Sequence, residues 1–224
     1  MDSQDQNVAS QQVEVVGPPK VETMEGLPKG EVKPITFWPD PSLKDVSDDV
    51  PLDVWKDDDQ RAILHQLIAD LVTTMYSTGG VGLSAPQVGI GARVFVCDPV
   101  ANVKPQPGQP VPQNNLLIAI NPEIEVANSE KLRIQEGCLS FPGVLEAIER
   151  PATVRFRARD KNGEMYALLA SGTLGRILQH ECDHLDGILM LERMGELARS
   201  YARKKMRKFR KAVMRDQVRL RPNT

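Results

Sequence analysis

From Asp57 the chain reads Asp-Asp-Asp-Gln-Arg and then sets Ile63, Leu64, Leu67, Ile68, Leu71, Val72 and Met75 at intervals of three and four. That spacing gathers apolar side chains on one stripe of an α-helix and predicts a helix running to Gly79-Gly80, which ends it. Acidic residues at its start complement the partial positive charge of a helix N-terminus. Val94-Phe95-Val96 and Leu116-Leu117-Ile118-Ala119-Ile120 are short unbroken apolar runs, expected as buried strands. Between them, Pro99 to Asn115 is full of Pro, Gly, Gln and Asn and reads as a surface loop. Val154, Phe156 and Ala158 alternate with Arg155, Arg157 and Arg159, the period of a strand with one wet face. Asp160-Lys161-Asn162-Gly163 follows as a turn, so antiparallel hairpins are implied. A second helix is predicted over Thr173 to Leu185, with Leu174, Ile177, Leu178 and Leu185 in register and Gly187 as its stop.

Outside these elements the pattern changes. Residues 1–34 show no period and are rich in Gln, Glu, Val, Pro and Gly, so a flexible extension is expected there. The C-terminal end crowds Arg199, Arg203, Lys204, Lys205, Arg207, Lys208, Arg210 and Lys211 together, although the formal charge of the 224-residue chain is only -2. Among those cations Ala202, Met206, Phe209, Val213 and Leu220 recur at helical spacing, which predicts an amphipathic helix. The expected division is therefore 1–34 extension, 35–194 central domain and 195–224 basic helical tail. No apolar run approaches the roughly 18 to 20 residues that span a bilayer, and no basic segment followed by an apolar one opens the chain. Three cysteines in no paired spacing fit a reducing compartment. Location in the cytoplasm, away from membranes, is the expectation.

Gln179-His180-Glu181-Cys182-Asp183-His184 contains HExxH. On a helix, residues four apart lie nearly above one another, so His180 and His184 can share one ion. Glu181 sits about 100° around the helix from His180, beside the ligand face, where it can serve as a general base. The chain has three histidines, and the third, His65, is alone in the first helix and reads as structural. A catalytic site needs a third protein ligand and an open position. Met190 stands where one zinc-protease pattern has its third histidine. No acidic residue occurs from Leu197 to Arg215, where another pattern has a glutamate. Cys138, in Glu136-Gly137-Cys138-Leu139-Ser140, is then the best-placed candidate, with burial as a plain small hydrophobe the alternative. Cys182 points away from the histidine face and Cys97 lies in a strand, so both read as core.

Gly80-Val81-Gly82-Leu83-Ser84-Ala85-Pro86-Gln87, Glu136-Gly137-Cys138-Leu139-Ser140 and Gln179-His180-Glu181-Cys182-Asp183-His184 together resemble the three motifs of peptide deformylases, in the family's order. The resemblance spans about Pro34 to Met194. It implies removal of formate from the N-formyl-methionine of new polypeptides, with Fe(II) as the physiological metal and Zn, Ni or Co as substitutes. It assigns metal ligation to Cys138, His180 and His184, acid/base chemistry to Glu181, and oxyanion stabilisation to Gln87 and the N–H of Leu139. Val81, Gly82, Gly137 and Ile177 are expected around the substrate, the glycines letting backbone approach an extended peptide. The expected fold is α+β, with short antiparallel sheets packed around a central metal-binding helix, plus a C-terminal helix.

Two departures stand out. Ser84 replaces the family's usual Ala almost isosterically. Gly175 replaces a common Ala at a cost of up to about 1 kcal/mol, which is expected to loosen the helix entrance. An HExxH metallopeptidase and a zinc-stabilised RNA-binding protein are the competing readings, the latter requiring a fourth protein ligand. The basic tail, by the same resemblance, is expected to dock on the ribosome. A chain ending near Met194 would then keep activity on short formyl peptides.

Overall fold

In this computed structural model residues 21–101 and 115–219 are described, the last six by backbone alone. Most of the expected 99–115 loop, and Leu220, lie outside the described residues. Helix α1 (Asp58–Ser77) starts where the Asp57 carboxylate accepts the N–H groups of Asp59 and Gln60, both at 3.0 Å. Of its apolar stripe, Leu64, Ile68, Leu71, Val72 and Met75 are buried, whereas Ile63 is exposed because it falls on the outer edge of the stripe.

Among the described residues seven strands follow: β1 (Gly82–Ser84), β2 (Val94–Cys97), β3 (Leu117–Val126), β4 (Lys131–Gly137), β5 (Leu145–Pro151), β6 (Thr153–Arg159) and β7 (Met165–Ser171). Five make one antiparallel sheet in the order β1-β2-β3-β6-β7, and β4 pairs with β5 in a separate hairpin. Strand β2 is buried on both faces, since Val94 and Val96 pack with α1 while Phe95 and Cys97 pack with the second helix, α2 (Gly172–Leu185). The expected α+β architecture is the one observed. The predicted alternation in β6 holds as well, with Val154, Phe156 and Ala158 turned into the core.

Gly175 has a different reason from the one expected. A Cβ there would come within 2.9 Å of the Ala170 carbonyl oxygen, so the glycine permits close seating of α2 on β7.

A third core cluster joins the hairpin to α3 (Met190–Arg193) and α4 (Glu196–Arg219). Ala202 and Met206 of α4 are buried there with Phe141, Val144 and Ile148. The apolar stripe of the basic segment is thus packed on the core, while most of its other side chains are exposed. A cut near Met194 would uncover the loop that follows Cys138. At the other end, residues 21–34 run against the domain: Glu22 N–H donates to Leu116 O, Glu31 N–H to Asp70 and Lys33 N–H to Thr74. Among the described residues no helix is long and apolar enough to cross a membrane.

Candidate active site

Three segments far apart in sequence meet on the face of α2 that carries Ile177, His180, Glu181 and His184. The β1 edge and the 3-10 turn after it, Ala85–Val88, bring Gly80 to Gln87; the end of β4 brings Cys138 and Leu139; α2 brings Ile177, His180, Glu181 and His184. They enclose a cavity of about 630 Å³ that includes Val81, Gly82, Gly137, Leu139, Ile177 and Glu181 in its lining. Every residue expected at the site is therefore gathered in or beside it.

Cys138, His180 and His184 place one ligand atom each within 4.8 Å of one another. Cys138 Sγ is 3.2 Å from His184 Nε2, and the two imidazoles lie edge to face with centroids 5.0 Å apart. His180 Nδ1 lies 3.2 Å from Glu136 Oε2, where a donated N–H fixes the tautomer and leaves the other ring nitrogen for a metal. A thiolate with two imidazoles is a donor set for a borderline divalent ion, and the trio of two buried histidines and the half-buried Cys138 fits one. Among the described residues no fourth His, Cys, Asp or Glu joins the group. That count matches a site with an open position and removes the feature required by the structural-zinc reading. Met190 is buried in the third core cluster, away from ligation.

Glu181 is buried, and burial pushes its carboxyl up to about 7 against the opposing influence of His180 and the Ser84 hydroxyl. A Cβ on Gly82 would lie 2.4 Å from Glu181 Oε1 and 3.0 Å from an Ile177 methyl carbon, so glycine at 82 makes room for the acid/base residue. Gly80 plays the same part toward Leu139. At Gly137 a Cβ would meet only ordinary contacts. Gln87 is fully enclosed, and its Nε2 reaches Ser140 Oγ at 3.3 Å and Cys138 Sγ at 3.5 Å.

Sequence reasoning missed the ionic support beneath the ligands. Glu136 accepts two bonds from Arg150 (2.7 and 3.0 Å) and one from Arg176 (2.9 Å), and Arg150 continues to Asp183 at 2.6 Å. Arg193 closes the chain on Asp183. Glu136 and Asp183 stand inside the quoted motifs, but nothing in a linear pattern pairs both with Arg150, 14 residues from the one and 33 from the other.

Residues 32–200 match the family model described as polypeptide deformylase. A protein from Cellvibrio japonicus named peptide deformylase is 40% identical over 182 residues, covering 81% of this chain and 98% of its own length. One from Hahella chejuensis, with the same name, is 40% identical over 177 residues, covering 79% and 95%. The crystal structure of peptide deformylase from Ehrlichia chaffeensis superposes with a TM-score of 0.70 at 32% identity, covering 82% of this chain and 99% of that one.

Proposed function

The chain belongs to the peptide deformylase family and is a hydrolase that removes the formyl group from N-formyl-methionyl polypeptides, and we propose how its own residues do so. Cys138, His180 and His184 hold a divalent metal, Fe(II) under physiological conditions with Zn, Ni or Co able to replace it. When bound, that ion supplies Lewis acidity to the attacking water and the formyl carbonyl. Glu181 takes the proton from the water and afterwards delivers it to the departing amine. Gln87 Nε2 and the Leu139 N–H donate to the developing oxyanion, a contribution typically worth 10²- to 10³-fold per donor. Ile177 and Val81 flank the methionine side chain, while Gly82 and Gly137 let the peptide backbone lie close. The observation that carries this reading is the meeting of the Cys138–His180–His184 trio with Glu181 and Gln87 around one cavity.

The test is formate release from a formyl-Met dipeptide by protein purified anaerobically with Fe(II), beside an unformylated control peptide. Glu181→Gln should keep the metal and lose most turnover, whereas Cys138→Ala should lose the metal itself. Cleavage of the control peptide instead would favour the peptidase reading.

The same proposal places the enzyme in the cytoplasm, acting on chains as they leave the ribosome. Arg199 is engaged with the carbonyls of Leu191 and Met194, and Lys205 with that of Gly143. Arg203, Lys204, Arg207, Lys208, Arg210 and Lys211 remain exposed on α4 as a cationic face for ribosomal RNA. Replacing Arg203, Lys204, Arg207 and Lys208 by Gln should weaken ribosome co-sedimentation, and the wild-type affinity should fall steeply with salt. Salt-insensitive binding unchanged by those substitutions would refute the docking face.

A further inference from the structure

Gln87 carries an amide whose two ends are nearly alike in shape, and only the end bearing Nε2 can donate to an oxyanion. Something must therefore hold the amide the right way round. In this structure both groups that do so belong to Ser84. Its backbone N–H and its hydroxyl each lie 2.9 Å from Gln87 Oε1. With Oε1 held by two donors, Nε2 is turned toward Cys138 Sγ and Ser140 Oγ, at the mouth of the metal trio. Ser84 is fully buried, so its hydroxyl is committed to partners inside the site. We propose that Ser84 is a positioning residue for catalysis: its hydroxyl fixes the orientation of the Gln87 amide, so that Nε2 rather than Oε1 faces the reacting carbonyl.

A plainer role competes with this one. Ser84 precedes the 3-10 turn Ala85–Val88, and Ser-x-x-Gln is the pattern of a helix-capping pair. A cap alone would affect folding stability and leave the balance of kcat and KM untouched. The hydroxyl also favours the ionised form of the Glu181 carboxyl, which offers a second route to the chemistry. The proposal rests on Gln87 acting as an oxyanion donor, so the experiment separates that premise from the role of Ser84.

Wild type, Ser84→Ala, Gln87→Ala and the double variant, each brought to the same metal content, are assayed on a formyl-Met peptide. Loss of the hydroxyl should lower kcat about tenfold with KM unchanged, since an oxyanion donor acts in the transition state and this change misorients it without removing it. On the Gln87→Ala background, Ser84→Ala should cost nothing more, because its route to the chemistry is already gone. The side-chain amide signals of Gln87, identified by their disappearance in Gln87→Ala, should shift or broaden in Ser84→Ala. An unchanged kcat in Ser84→Ala overturns the proposal, as does a loss that persists on the Gln87→Ala background, which would assign the effect to Glu181. If wild type releases no formate, or Gln87→Ala turns over like wild type, it is the reading of the site that fails. Ser84 is then judged on the amide signals alone, and unmoved signals overturn its hold on Gln87.

Discussion

Glu136 does more than its place beside a ligand suggests. Burial works against its charge, yet bonds from His180 and Arg150 outweigh that penalty and hold its carboxyl down at about 2. It is thus the fixed anion against which two guanidinium groups and a ligand imidazole are set. Glu136→Gln would keep the size and lose the charge, leaving Arg150 and Arg176 buried with less compensation. Breaking a buried ionic group in this way costs about 3 to 5 kcal/mol. Second, the His180 imidazole would lose the carboxylate that orients it, and such losses typically weaken metal binding by about 10- to 100-fold. Thermal melts and competition with a chelator measure the two effects, and a Glu136→Gln protein matching wild type in both would show the network to be ornamental. None of this was legible in the motif itself, because Glu136 is one of many acidic residues until the fold brings Arg150 and Arg176 to it.

Elements were legible in proportion to how far apolar burial alone specifies them. Helix α2 could be read with its chemistry because its ligands are four residues apart on one helix and its apolar residues share a period. Strands β2 and β6 were equally clear. The hairpin β4–β5 escaped, since nearly every residue of β4 is exposed and its buried members include Glu136, Ile148 and Arg150, which make no hydrophobic alternation. Helix α4 was legible as an amphipathic helix, but the pattern could not say what its apolar stripe covers. The structure shows the stripe closing on Phe141 and Val144, while Lys205 donates to the Gly143 carbonyl, where the chain turns with φ +72. Gly143 and Val144 line the substrate cavity. Lys205→Met should therefore raise KM for formyl peptides a few-fold with little change in kcat, whereas Lys204→Met, one residue away and exposed, should change neither. Steady-state kinetics of the pair decide it; equal behaviour of the two variants would detach α4 from the pocket wall.

At the scale of the whole molecule, the segment from 21 to 34, most of it ahead of the family-matched region that begins at residue 32, adds a second tie between the β6–β7 turn and α1, which already meet where His65 Nε2 lies 3.0 Å from Lys161 O. Its near end is held at the β6–β7 turn, where Lys161 Nζ donates to Thr23 O at 2.7 Å and Glu25 O at 2.8 Å. Its far end is held on α1, where a Cβ at Gly30 would fall 2.1 Å from the Ala69 carbonyl oxygen. Backbone groups bonded to side chains do most of this holding, which is why no hydrophobic period announced it. Asp70 is the anchor: it accepts the Glu31 N–H at 2.7 Å and Gln66 Nε2 at 2.8 Å, and it pairs with Lys33 at 3.0 Å. Burial pushes its carboxyl up, but the Glu31, Lys33 and Gln66 bonds prevail and hold it below its ordinary value of 3.8. A carboxylate that ionises more readily when folded stabilises the fold fully above that ordinary value. The contribution drains away as the pH falls from there through the folded value. Asp70→Asn should cost about 1 to 3 kcal/mol at neutral pH, or about 3 °C of melting temperature for each kcal/mol in a chain of this size. Asparagine has no charge to lose, so the gap between wild type and variant should be constant from pH 8 to 5 and close below about pH 4. Melting curves across that range test it, and a gap that stays open in acid would mean that the strap is held by its neutral hydrogen bonds and not by the charge on Asp70.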